Sequence, residues 1–193
     1  MLNELLIRFA TWLDSFQSST NLHESYYAYN WVEATHVLTL MLFLGLVFVL
    51  DLRLLGVAFS NVRASTIAEK LDKPIMIGFA VMIVSGLLLF YAIPVRTTNS
   101  IWFRMKVVLL IAAGINALLA RRAMERSVAS WDTDRVPPRR IRIAGGLSLI
   151  LWIGVISAGR LIAYDWFDCH QELSPFMVWA TGCVDPLVAQ GRG

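Results

Sequence analysis

WVEATHVLTLMLFLGLVFVL, residues 31–50, carries two ionisable side chains, Glu33 and His36, in an otherwise apolar run. Coiled as an α-helix at 1.5 Å per residue, such a run matches the roughly 30 Å hydrocarbon thickness of a bilayer. Three further stretches read the same way, at about 75–95, 101–120 and 143–164. None alternates polar and apolar residues as a barrel strand does, so helices are the structures that satisfy the backbone hydrogen bonds in lipid. The expectation is an all-α fold, an integral-membrane four-helix bundle. Gly45, Gly78, Gly86, Gly114, Gly145, Gly146, Gly154 and Gly159 fall within these stretches, as close helix approach in membranes favours.

The rest of the chain agrees. Of 193 residues, 57% are hydrophobic and 16% charged, with a mean hydropathy of +0.61, too apolar for an ordinary soluble domain. With about 20 residues per span, four spans leave no room for a large soluble domain. The net charge of +3 therefore counts as a topology signal, and a nucleic-acid partner is excluded. Arg53, Arg63, Lys70 and Lys73 lie between the first two spans, and Arg121, Arg122, Arg126, Arg135, Arg139, Arg140 and Arg142 between the last two. The positive-inside rule puts both loops in the cytoplasm and both termini on the outer face of a bacterial inner membrane. The chain divides into a lead-in (1–30), the bundle (31–166) and a tail (167–193).

In the lead-in, from Met1 to Gln17, Leu2, Leu5, Leu6, Phe9, Trp12, Leu13 and Phe16 recur at helical spacing, interrupted by Glu4, Arg8, Asp14 and Gln17. This is an amphipathic helix, lying on the outer membrane surface or packed on a partner subunit. A cleavable signal peptide would have a basic start and an unbroken apolar stretch instead. In the tail, Cys169 and Cys183 would face an oxidising compartment, and a disulfide between them is expected. The competing reading is a metal site of Cys169, His170 and Cys183, at a spacing that fits no zinc pattern.

Ionisable groups inside spans are costly and point to function. Glu33 and His36 share a face of the first helix, Trp102 and Lys106 lie one turn apart in the third, and Arg160 sits near the end of the fourth with Ser157 and Tyr164 in line. The expected topology gathers these charges in one layer near the outer surface. A carboxylate beside an imidazole can fix its tautomer and raise its basicity. The competing view is structural: Lys106 and Arg160 snorkel to headgroups, Glu33 pairs with one of them, and His36 is a satisfied core residue. Tyr26, Tyr27, Tyr29, Trp31, Tyr91, Trp102, Tyr164 and Trp166 read as an aromatic belt, or as walls for a flat ligand near His36.

The string Trp31-Val-Glu-Ala-Thr-His36, the Leu52-Arg53-Leu54 that follows, Ser85-Gly86 in the second span and Trp102-Phe-Arg-Met-Lys106 in the third resemble a group of small bacterial membrane proteins. The group includes HemJ-type protoporphyrinogen oxidases, CopD-type copper-resistance proteins and uncharacterised four-helix families. The resemblance spans roughly residues 31–122. It implies that His36 is an axial ligand of haem b and that Lys106 matches a second characteristic position. A further axial ligand would come from Met105, Lys106, His23, His170 or His36 of a second copy, with a five-coordinate haem as the alternative. Lys106 and Arg160 would then hold the haem propionates. The function expected is electron transfer or oxidation near the outer face, with Glu33 supporting His36 and a quinone or other redox partner. The alternative is a non-catalytic subunit of a larger membrane complex or a homo-oligomer. A permease is disfavoured because one polar layer near one surface makes no continuous path.

Overall fold

The computed structural model describes residues 2–164 and 174–181; Cys169, Cys183, His170 and Trp166 lie outside the described residues. Eight α-helices occur among them: α1 (Leu2–Asp14), α2 (Gln17–Glu24), α3 (Tyr26–Leu55), α4 (Ala64–Ala92), α5 (Pro94–Asn99), α6 (Ile101–Ser127), α7 (Arg139–Ala163) and α8 (Pro175–Thr181). The helices α3, α4, α6 and α7 are long and apolar enough to cross a membrane, the architecture of a multi-pass membrane protein.

The helices outrun the apolar stretches that announce them. α3 has 30 residues, about 45 Å at helical rise, so it begins and ends in polar sequence. It stops at Gly56, which takes a left-handed φ of 75° as a helix C′ residue does. A Cβ there would lie 3.2 Å from the Arg135 carbonyl oxygen and from the Pro137 ring, so the loop between α6 and α7 closes over the end of α3. α4 starts at Ala64, about three turns before the expected boundary, and carries Pro74 within it.

α3 packs against α4 and α7, and α6 packs against α7. α4 and α6 meet through the stacked rings of Phe90 and Phe103, 5.4 Å apart, and through an ion pair between Asp72 and Arg121 at 3.0 Å. Phe43, Leu44 and Val47 of α3, Ala113 of α6, and Trp152 and Val155 of α7 form the core, with Phe43 edge-on to Trp152 at 5.0 Å. A Cβ on Gly78 would lie 3.2 Å from Phe43, so a bare backbone lets α4 close on α3 at this level. Lipid is as apolar as leucine, so this shape fit, more than apolar burial, holds the helices together.

The two ends differ. At the loop end, Arg53 is wholly buried and donates to the carbonyls of Val62, Asp132 and Asp134 at 2.8, 3.3 and 3.1 Å. Leu54, Ala64, Trp131 and Ile141 pack around it as a second core. Asp132 caps α4 from across the fold, accepting from the Ser65 backbone N–H at 2.8 Å and the Ser65 hydroxyl at 2.7 Å. At the opposite, terminal end, Arg104 reaches the Thr98 carbonyl, the Asn3 side-chain oxygen and the Thr181 carbonyl at 3.1, 2.8 and 2.8 Å, tying α5, α1 and α8 to α6. Ser19 donates to the Tyr91 carbonyl at 2.7 Å, seating α2 on the end of α4.

Partial desolvation alone would raise the Asp132 carboxyl. The two Ser65 hydrogen bonds and the charges of Arg63 and Arg53 outweigh it and hold the group below the usual carboxylate range. A carboxyl whose pKa is lower folded than unfolded stabilises the fold above the unfolded value, about 4, and loses that contribution as pH falls. Asp132→Ala is expected to cost about 1 kcal/mol, the usual loss of a helix cap. It should also flatten the acid limb of a melting-temperature profile. Equal acid sensitivity in wild type and variant would remove Asp132 from that role.

Candidate functional site

His36 sits ten residues into α3, about 15 Å from its start at 1.5 Å per residue, deeper than the five residues expected from the apolar run alone. It is 9% exposed. Its Nδ1 lies 2.8 Å from the hydroxyl of Ser85 on α4, and that hydroxyl lies 2.7 Å from the Val81 carbonyl one turn back. A carbonyl can only accept, so the single serine proton goes to Val81 and the serine oxygen accepts from Nδ1–H. This leaves the Nε2 lone pair of a neutral imidazole free. Gly86 makes room for the ring: a Cβ there would lie 3.3 Å from Cε1 of His36.

Lys106, on α6, is close enough for its charge to act on this imidazole. Its Nζ lies over Gly159 of α7, 3.4 Å from where a Cβ would stand. It has no hydrogen-bond or ion-pair partner among the described residues. Trp102, one turn before Lys106, is half-buried. The four long helices thus contribute His36, Ser85 with Gly86, Lys106 and Gly159 to one level of the bundle. The two glycines let a ring and an ammonium group lie directly on helix backbone.

The other expected members stand apart from this centre. Glu33 is exposed and lies in the electrostatic neighbourhood of Tyr29 and, through it, Arg96. The hydrogen bond that orients His36 comes from Ser85. Arg160 is exposed, donates to the Tyr164 hydroxyl and stacks over that ring at 4.6 Å. Of the suggested further axial ligands, Met105 is 44% exposed, and His23 lies on α2 with its ring 5.6 Å from Tyr29. No three His, Cys, Asp or Glu side chains converge among the described residues.

A second polar level, nearer the loop end, escaped the sequence reading. Asp51 of α3 is 4% exposed and hydrogen-bonded to Ser148 of α7. Its Oδ2 is buried without a hydrogen-bond partner. Asn116 of α6 donates to the Ala144 carbonyl of α7 at 3.0 Å. With the apolar run taken to end at Leu50, Asp51 reads as a loop residue. The signal was Gly56, a helix terminator five positions later.

The fold and this level define a class: a multi-pass, all-helical membrane protein with a tautomer-fixed histidine buried between its spans. Residues 19–165 match the model of DUF6644, a family of unknown function, and the chain belongs to that family. No curated protein and no solved structure matches it. The likeness to HemJ-type and CopD-type proteins is one of short motifs, and the family match adds no function to it.

Proposed function

We propose that this protein binds haem b between its spans through Nε2 of His36 and serves as an electron carrier or oxidase component of the bacterial inner membrane. The observation that carries the reading is the Val81–Ser85–His36 relay. A ligating imidazole characteristically donates its other N–H to a fixed acceptor, which sets the tautomer and the ring plane. His36 meets that requirement in a buried position where a bare polar ring is costly. Lys106 supplies an unpartnered cation at the same level, suited to a carboxylate such as a haem propionate. Bound there, haem would supply one-electron chemistry. The chain's own part is to orient the ligand nitrogen, neutralise a propionate and exclude water.

The basic residues at the loop end favour a cytoplasmic placement of that end, which puts His36, both termini and the Cys169–Cys183 pair toward the outer side. A disulfide across the tail fits that side. A quinone within the membrane or a second redox protein would complete the circuit.

The runner-up is a non-catalytic subunit of a larger assembly. It draws on α1, where Leu5, Phe9 and Trp12 are 63%, 51% and 56% exposed and form one apolar stripe, which Phe16 extends just past the helix end, edge-on to Trp12 at 5.0 Å. That stripe could meet the outer membrane surface or a partner equally well.

An absorption spectrum decides between them. Detergent-purified protein from cells supplied with a haem precursor is expected to show a Soret band, with α and β bands sharpening on reduction by dithionite. Colourless protein that also fails to take up added haem would sink the haem reading and leave the subunit reading, to be pursued by mild-detergent co-purification.

A further inference from the structure

At the loop end, α3 and the start of α4 enclose an open apolar groove of about 250 Å³, bounded by Val49, Phe59, Val62, Ile67 and Leu71, with Lys70 at its edge. Phe59 turns its half-exposed ring to this mouth from a left-handed backbone (φ 55°), a conformation that bulky residues rarely adopt.

Beside the groove runs a stripe of charge. At 100° per residue, Arg63, Lys70 and Lys73 fall within an arc of roughly 80° on the α4 face that carries Ile67. All three are exposed, and none has a hydrogen-bond or ion-pair partner among the described residues. Of the acidic residues on this part of α4, Asp72 points the other way and is held by Arg121 of α6, and the exposed Glu69, one turn before Lys73, makes no ion pair with the stripe among the described residues. An apolar slot flanked by free cations, at the end of a membrane-crossing helix, has the chemistry of one ligand class.

We propose that this groove is a binding site for an anionic phospholipid, one acyl chain lying along Val49, Ile67 and Leu71 and the headgroup phosphate held by Lys70 and Lys73. Lipid is the occupant because the groove is lined by apolar side chains of α3, α4 and the loop between them, and both helices are long and apolar enough to cross a membrane. Anionic headgroups are preferred because basic side chains at a membrane surface each contribute attraction to negative lipid. The site is separate from the histidine level and does not depend on what His36 binds.

Native mass spectrometry of the full-length protein, released from detergent micelles doped with equal amounts of phosphatidylglycerol and phosphatidylcholine of matched acyl chains, reads this directly. Wild type is expected to retain phosphatidylglycerol over phosphatidylcholine by about fivefold or more, the selectivity of one or two basic contacts. Lys70→Gln with Lys73→Gln, both exposed and unbonded, should bring that ratio to about one while the protein stays monodisperse. Ile67→Trp, which fills the slot, should lower retention of both lipids. Equal retention of the two lipids by wild type would overturn the proposal. So would a preference that survives the double lysine substitution, which would place headgroup selection on the arginines before α7 instead.

Discussion

His36→Ala is expected to abolish the Soret band. The imidazole is the one buried histidine among the described residues, and its Nδ1 bond to Ser85 leaves Nε2 for a ligand. Without it no described side chain at that level offers an oriented nitrogen. The fold should tolerate the change, because the Ser85 hydroxyl keeps its bond to Val81. The loss amounts to one neutral hydrogen bond and a modest cavity, about 1–2 kcal/mol.

Exogenous imidazole should restore part of the absorption in the alanine variant by occupying the vacated space, a rescue that a purely structural role would not produce. Ser85→Ala should behave differently. The ring keeps Nε2 but loses the acceptor that sets its tautomer, so haem affinity should fall about 10- to 100-fold with a Soret band still reached at high haem. Full absorption in His36→Ala, against a coloured wild type, would move the ligand elsewhere.

The contrast between His36 and the residues first grouped with it shows what a sequence can carry. Apolar length alone announces four spans, because a bilayer imposes one dimension on every helix that crosses it. Depth is less legible: α3 extends five residues either side of its apolar run, so every position counted from the run's edge was too shallow. Spacing of i, i+3 brings Glu33 and His36 to adjoining parts of one helix face, yet one is exposed and the other buried. The edge of a bundle cuts between them, and where that edge falls depends on how closely α4 approaches α3. Gly78 and Gly86 govern that approach, and a glycine in a sequence does not say which neighbour it admits. Ser85 was visible as half of a two-residue motif with no role attached; that role needs the distance to a ring 49 positions away. Arg53 and Arg104 were hidden for a related reason. Arg53 was counted as a charge that reports topology and Arg104 was read only as part of the Trp102–Lys106 string, whereas each spends its guanidinium on acceptors from distant segments.

Arg53→Ala should be the most destabilising single substitution at the loop end. The side chain is wholly buried, and its three acceptors come from the loop after α3 and from the loop before α7. Deleting it leaves carbonyls of Val62 and Asp134 without their donor and removes a cation that favours ionised Asp132. Hydrogen bonds to a charged group contribute about 1.5–3 kcal/mol each. Water can replace part of this at a bundle end, so a net loss of about 3 kcal/mol is expected. For a chain of this size that is roughly 10 °C in apparent Tm. Arg53→Lys keeps the charge but cannot fork to three carbonyls, and should recover less than half of the loss. Arg122→Ala, exposed and without a hydrogen-bond or ion-pair partner among the described residues, should change little and serves as the control. Thermal unfolding in detergent followed by circular dichroism measures all three. An Arg53→Ala protein melting within 2 °C of wild type, a bound roughly a fifth of the shift expected, would show that the two loops are held by the apolar packing of Leu54, Trp131 and Ile141 rather than by the buried guanidinium.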